Sequence, residues 1–521
     1  MRKLTEKAYE DKINVLYEVA TVSQSKGVEV SLEASSESFY ARSAVIAFIR
    51  SIVGETFPPG MTIDEGEDLY GYGMDSVQTL EITSSLRRNL HCHTSEPVTW
   101  ISPRTIFRHS TLASLTDLIT AFLNDGIIPQ EDYQLAAART LDETVARYVG
   151  TLPKKSTLTT PAKISSVAII GSTGYLGLHL VATLLEQKDI TRIYCLNRGQ
   201  VAQVKQSAAF RLLYKSDMHI PLEKLVYITI DFGRSQLGLS EKTSDLIFNE
   251  ADAIIYNSWR LDFNLDIRSF EPFIRAARDL VELVASSKRA IHIVFISSLS
   301  SVAKMAEKIT VPEAPVQDST AALNIGYAQS KLTTERVLEA ASRDVGIPIS
   351  IVRVGQIGGP TGGRHGPWAD QPWISAIART AKTLGSIPDI PAYIDWVPVD
   401  SISEVLYDVA VNPDSKNIQV FNMYPQDPPP WKLFIDALRE NHDIREVVPM
   451  REWVQRLRSI TDPSVEDIAR MPALKLLDYY DSIGGTRQPG FASGRIASIS
   501  KVRILAVDMH LLERWLSSWD L

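Results

Sequence analysis

Residues 167–187, "VAIIGSTGYLGLHLVATLLEQ", decide the fold. An apolar run, a turn holding Gly171, Gly174 and Gly177, and a helical apolar pattern follow one another without a gap. Such a run predicts a strand covered on both faces, and GxxGxxG spacing lets a backbone turn sharply and approach a pyrophosphate at the positive end of a helix. Glycine serves many turns, so the strand and helix on either side carry the reading. Gly171, Thr173, Gly174, Tyr175, Leu176 and Gly177 are therefore the expected dinucleotide contacts.

The same strand-helix alternation continues through "RIYCLNR", "KLVYITIDF", "DAIIYN", "IHIVFISS" and "ISIVRVG". Several of these are nearly continuous apolar runs, which predicts α/β architecture with a doubly wound, Rossmann-type parallel sheet. At the end of the second strand, where an acidic residue would bind the adenosine ribose of NAD, stands Arg198, suited to a 2'-phosphate; the expected cofactor is NADPH. Arg211 is a second candidate for that phosphate, with a solvated surface arginine as the other reading. Asp231 and Phe232 end the third strand, where they could flank adenine or, for the carboxylate, merely cap the strand end.

"GYAQSKLTTERVLEAA" sets Tyr327 and Lys331 four residues apart, on one face of a helix. A phenol titrates near ~10, and bringing it to neutrality takes about 4 kcal/mol, which an adjacent ammonium can help supply. "IHIVFISSLSSV" ends a strand with two serines, Ser297 and Ser298, at the sheet's carboxyl edge, where a hydroxyl can orient a carbonyl oxygen; side chains alternate along a strand, so only one of the two faces the crevice, and the family resemblance given below favours Ser298. Trp259, Trp368, Trp373 and Tyr393 are candidate walls of an apolar pocket, with core packing as the alternative.

These residues, with "DAIIYNSWRLDFNLDIRSFEP", "GYAQSKLTTERVL", "VRVGQIGGP" and "DWVPVDSISEVLYD", resemble the extended short-chain dehydrogenase/reductase superfamily from residue 165 to about 510. They are most similar to the thioester reductase domains of fungal nonribosomal-peptide-synthetase-like enzymes, carboxylic acid reductases among them. The resemblance implies a catalytic triad of Ser298, Tyr327 and Lys331, with the last two also holding the nicotinamide ribose, and a cofactor contact at Asn257. Tyr256 departs from the histidine common before that asparagine, which leaves the contacts of Asn257 open.

"YGYGMDSVQTLEI", residues 70–82, presents Ser76 at a helix start with no catalytic base beside it. "GMDSVQ" resembles the attachment site of carrier proteins, which implies that Ser76 bears 4'-phosphopantetheine; a plain N-cap serine is the other reading. The apolar spacing around it predicts a small helical bundle over residues 39–125. Residues 1–38 resemble the end of an adenylation domain, 126–164 read as a linker with one short helix, 165–360 as the NADP-binding domain, and 361–521 as a mostly helical substrate-binding subdomain with "NIQVFNMY" returning to the sheet.

Composition narrows the rest. The formal charge of -8, with no basic tract, argues against nucleic acid as a partner. No run of about 18 apolar residues argues for a membrane span. Two cysteines, Cys92 and Cys195, exclude a disulfide scaffold and fit a reducing, cytoplasmic location; "HCH" around Cys92 lacks a second ligand cluster, so no metal is expected. The expected function is NADPH-dependent release of a carrier-bound acyl thioester as an aldehyde or alcohol, with an adenylation domain and a phosphopantetheinyl transferase as partners. The rivals are a Dieckmann-type release domain without redox chemistry, a nucleotide-sugar epimerase or dehydratase, and a non-enzymatic NADPH sensor.

Overall fold

The computed structural model describes residues 32, 39–91, 98–126, 133–154, 163–199, 202–213, 221–287, 289–362, 366–414, 418–460, 463–483, 490–519 and 521. The expected adenylation remnant falls almost wholly outside them, as does Cys92. The chain divides into two compact units, Met1–Pro129 and Gln130–Leu521.

The first unit is helical. Helix α1 (Arg42–Gly54) buries Val45, Phe48, Ile49, Ile52 and Val53, the three-four spacing of a single helix face. Helix α2 (Ser76–His91) buries Thr79, Ile82, Thr83, Leu86 and Leu90. Its expected stripe is thus the inner one, and Val77 and Leu80 stay half-buried. Helix α3 (Leu112–Asp125) starts on a capping box between Thr111 and Ser114 and stops at Gly126, whose φ of 62° is left-handed.

The second unit opens with α4 (Tyr133–Val149), the short helix expected within the 126–164 linker. Its Asp142 pairs with Arg336, and its Arg147 with Glu271, so this stretch is bound into the unit. Seven of its strands make the main sheet: β1 (Ser166–Ile170), β2 (Arg192–Arg198), β3 (Leu225–Ile230), β4 (Ala253–Tyr256), β5 (His292–Ser298), β6 (Ile349–Val354) and β7 (Gln419–Met423). They form one sheet ordered β7-β6-β5-β4-β1-β2-β3, with every pair parallel. All five residues of β1 and all six of β6 are buried, because helices cover both faces.

Helix α5 (Tyr175–Glu186) packs its Leu180, Val181 and Leu184 into the core beneath β1. Helix α6 (Ala202–Leu213) follows β2, α7 (Glu271–Ser286) follows β4, and α8 (Gly326–Val345) connects β5 to β6. The strand order reverses between β1 and β4, and in such sheets the ligand crevice opens there, beyond the strand carboxyl ends. After β6, α9 (Ile374–Leu384) belongs to the C-terminal part, but α10 (Val399–Val411) lays Ile402, Val405, Leu406 and Val409 into the same core as α5. The chain after residue 360 therefore supplies a helix to the central layer as well as the strand expected to return to it. Among the described residues no helix is long and apolar enough to cross a membrane, and no cluster of His, Cys, Asp and Glu could hold a metal ion.

Candidate active site

The glycine turn is shaped by close approach. Gly171 has φ 93°, and a Cβ there would lie 2.9 Å from Ser258 Cα; a Cβ at Gly177 would lie 2.2 Å from the Gly171 carbonyl oxygen. These two glycines bring the start of α5 and the end of β4 onto the turn. Gly174 is different: it is the N-cap residue of α5, extended at φ -73°, and a Cβ there would touch only the Gly171 oxygen, at 4.0 Å. No side chain caps α5, so its first-turn N–H groups at Tyr175, Leu176 and Gly177 are left for an anion. An uncapped helix start over a cradle of glycines fits a dinucleotide pyrophosphate. Leu176 itself is buried and can meet a cofactor only through its backbone. Thr173 is occupied: its N–H and hydroxyl both donate to Asn197 Oδ1, at 3.2 and 3.3 Å.

Arg198 ends β2 exposed, its guanidinium 5.7 Å from the ring centroids of Phe232 and Phe273. Of the other nucleotide-side candidates, Asp231 accepts from Gly233 N at 2.8 Å and pairs with Arg234 at 3.4 Å, the behaviour of a turn carboxylate. Phe232 is buried edge-on to Phe273 at 5.4 Å. Arg211 lies within α6, and its side chain is outside the described residues. Asn257 has a definite role: Nδ2 donates to the Gly171 carbonyl at 2.9 Å and its N–H to Ile170 at 3.0 Å, tying β4 to the turn. Tyr256 points away, donating to the Phe273 carbonyl at 2.9 Å.

On the other side of the crevice Ser298, Tyr327 and Lys331 come together. Ser298 Oγ accepts from Ser300 N and Oγ at 3.2 and 2.8 Å, and the hydroxyl lies close enough to the Tyr327 phenol to act on its titration. Ser297 faces the opposite way and donates to Glu335. Lys331 is buried, its Nζ donating to the Ile296 carbonyl at 2.7 Å and standing 4.1 Å from the Trp259 ring centroid.

The protonation expected for this pair differs from what its surroundings impose. Burial pushes the Tyr327 phenol up to about 12, with the nearby Ser298 hydroxyl acting against it. Burial also holds Lys331 well below its ordinary value, opposed by the Glu335 carboxylate. The phenol therefore keeps its proton at neutral pH. A tertiary effect, desolvation, outweighs the help expected from the neighbouring amine.

Two supports of this arrangement carried no recognised sequence signal. Glu335, one turn beyond Lys331, accepts from Ser301 Oγ at 2.7 Å and from Arg353 Nε and Nη2 at 3.0 and 2.7 Å. Because Ser297 donates to the same carboxylate, both neighbours of the Ser298 turn are moored to the helix that bears Tyr327. Gly326 is the second support: a Cβ there would lie 2.3 Å from the Leu265 carbonyl oxygen, so only glycine lets α8 begin this close to that loop. A glycine directly before the tyrosine was the one available clue.

The aromatic candidates separate. Trp368 is no pocket wall; it is 1% exposed and stacks on Trp519 at 4.3 Å. Trp259 donates from Nε1 to Ser330 Oγ at 3.1 Å, beside Lys331. Trp373 is half-buried and meets Tyr479 at 5.9 Å. Tyr479, which the sequence did not single out, stacks on Phe263 at 4.6 Å, and Phe263 is edge-on to Tyr327 at 5.5 Å. Tyr393 is half-buried and bridges to Pro430 through the backbone.

In the first unit, Ser76 is the first residue of α2 but does not cap it. Asp75 does: Oδ1 accepts from Val77 N and Gln78 N at 2.8 and 2.9 Å, while Gln78 Oε1 accepts from Asp75 N at 2.9 Å. The Ser76 hydroxyl is half-buried and makes no hydrogen bond among the described residues. A free hydroxyl at a helix N-terminus fits a phosphodiester attachment.

Comparison with known proteins agrees with this division. Residues 45–119 match the family "Phosphopantetheine attachment site", and residues 169–406 match the NAD-binding family "Male sterility protein". The carboxylic acid reductase of Neurospora crassa is 28% identical over 544 residues, an alignment covering all of this chain and 50% of that protein. The chain thus spans about half the length of that curated relative. Among solved structures, the terminal R domain of the myxalamid PKS-NRPS pathway aligns with a TM-score of 0.62 at 24% identity, covering 73% of this chain and 97% of that one. A thiolation-reductase di-domain from an archaeal nonribosomal peptide synthetase aligns with a TM-score of 0.59 at 17% identity, covering 94% of this chain and 98% of that one.

Proposed function

We propose that a chain joining a phosphopantetheine-attachment segment to an NAD-binding reductase domain releases a carrier-bound acyl thioester by NADPH-dependent reduction. The observation that carries this reading is the meeting of Ser298, Tyr327 and a buried Lys331 at the sheet's carboxyl edge, beside an uncapped helix start. Arg198 supports NADPH over NADH, since an exposed guanidinium at the end of β2 would pair with a 2'-phosphate.

In this reading Ser76 Oγ bears the phosphopantetheine arm, installed by a phosphopantetheinyl transferase, and the acyl group comes from an adenylation portion. Bound NADPH supplies the hydride. Ser298 and Tyr327 grip the thioester oxygen, and as charge gathers on it the phenol, protonated at rest, gives it the proton. The Lys331 amine, with Nζ 5.8 Å from the Tyr327 ring centroid, is placed to donate a hydrogen bond to the phenolate left behind. The resulting hemithioacetal collapses by breaking its C–S bond; the carbonyl re-forms, the hydroxyl proton leaves with the thiol, and an aldehyde is free. A second round would give the alcohol.

Two measurements test this. Incubation with coenzyme A and a phosphopantetheinyl transferase should add one arm to the intact mass. A model acyl-pantetheine thioester should bleach nicotinamide absorbance with an aldehyde or alcohol as product. Release of a cyclised product with no loss of absorbance would overturn the reading.

A further inference from the structure

A carboxylate stands near the candidate triad and takes no part in the chemistry above. Asp395 is half-buried beyond the end of β6, where Gly355 leaves it room: a Cβ on Gly355 would lie 3.1 Å from Asp395 Oδ2 and 3.2 Å from Leu299 Cδ1. Leu299 directly follows Ser298, and Val354, just before Gly355, pairs with Ser298 across the sheet. Gly355 and Leu299, each one residue past a paired strand end, thus place Asp395 beside the turn that carries Ser298.

Its surroundings are aromatic. The carboxylate lies within electrostatic reach of Tyr479 and Tyr424, and Tyr479 in turn of Tyr327. Gln356, one residue beyond Gly355, brings a further ring to this end of the strand, since its Oε1 accepts from Trp373 Nε1 at 2.9 Å. The groups near enough to favour its anion are backbone N–H groups, its own and that of Gln356. Among the described residues no arginine, lysine or hydroxyl pairs with it. Burial pushes the carboxyl up to about 6, which leaves it an anion at pH 7 with acceptor capacity to spare. A half-buried anion among rings, without a side-chain donor, is costly unless something else completes it.

We infer that Asp395 is a specificity-determining residue: its carboxylate accepts a hydrogen bond from a donor, hydroxyl or ammonium, carried by an acyl group that lies flat among Phe263, Trp373 and Tyr479. The inference rests on the reductase reading and names the class of substrate for that same site. A donor-bearing acyl group would complete the carboxylate, whereas a donor-free one would bury it unmatched.

The test uses the full chain, NADPH and pantetheine thioesters of benzoate, of the three hydroxybenzoates and of phenylalanine. The unaltered protein should prefer at least one donor-bearing thioester over benzoyl by tenfold or more in kcat/KM. A hydroxybenzoyl preference identifies the donor as hydroxyl, and a phenylalanyl preference as ammonium. In Asp395→Asn and Asp395→Ala that ratio should fall about tenfold, with fluorescence-detected NADPH binding confirming that each variant is folded. An unaltered protein with no such preference overturns the inference whatever the variants do, and so does a ratio that survives both substitutions. If benzoyl and donor-bearing thioesters are reduced alike, the reductase reading stands and only this inference fails. If no thioester consumes NADPH, the reductase reading fails and carries the inference with it.

Discussion

Ser76 and Ser298 sit at comparable places, each where an extended stretch gives way to helical turns, yet their neighbours treat them oppositely. Around Ser76 the capping work is done by Asp75 and Gln78, so the serine hydroxyl is spare. Around Ser298 the hydroxyl is engaged by both the N–H and the hydroxyl of Ser300, and the serines to either side of it are bound to a buried carboxylate. The difference separates an attachment point from a positioned hydrogen-bond donor. A hydroxyl that must be reached by another enzyme is left without partners, and one that must hold a carbonyl oxygen in place is itself held.

The comparison can be broken in several ways. The largest expected effect is at Ser76: Ser76→Ala should abolish the added mass completely while leaving the urea midpoint of the carrier unit unchanged within error. A clear loss of stability would mean that the serine was part of the cap after all. Next comes Tyr327→Phe, which should lower kcat for thioester reduction by roughly 100- to 10,000-fold, with NADPH affinity preserved in a fluorescence titration.

The moorings of Ser298 can then be cut. Arg353→Met strands the Glu335 carboxylate in the core and should cost about 3–5 kcal/mol in urea unfolding of the second unit. Pairing it with Glu335→Leu should return most of that stability, though kcat should stay low because Ser297 and Ser301 have lost their anchor. A double variant with full activity would show that the carboxylate only fills space.

A pH effect of similar size is expected from the same sheet. His292 is buried between Ser350 and the Ala410 carbonyl, and burial holds it down at about 4, against an ordinary value near ~6.5. Below pH ~6.5 the unfolded chain takes a proton that the folded chain refuses. Stability that is whole at neutral pH should therefore be lost as pH falls toward 4, by about 3 kcal/mol in total, and His292→Gln should flatten that slope. Smallest of all, Asp75→Ala should cost the carrier unit about 1 kcal/mol by removing the cap of α2, measured by thermal unfolding.

Much of this was legible in the chain. The parallel sheet was, because strands buried on both faces must be apolar at every position rather than alternately. The glycine turn was, because close backbone approach excludes every other residue at Gly171 and Gly177. Tyr327 and Lys331 were paired by helix period alone, and Ser298 was chosen over Ser297 by strand alternation together with the family resemblance. Apart from that last choice, local periodicity determines these features, and it is written in consecutive residues.

What only the tertiary structure decided is the state and company of those groups. Lys331 was expected to help Tyr327 ionise, but burial by Trp259, Phe295 and the helix around them raises one and lowers the other. Trp368 passed for a pocket wall until the C-terminal Trp519 was found stacked on it. Glu335 with Arg353, Phe263 with Tyr479, and Gly355 with Asp395 come from stretches that no short spacing connects, so their partnerships appear only once the sheet has brought them together. Desolvation and packing depend on what arrives from elsewhere in the chain, and a sequence read in order cannot weigh what is not yet beside it.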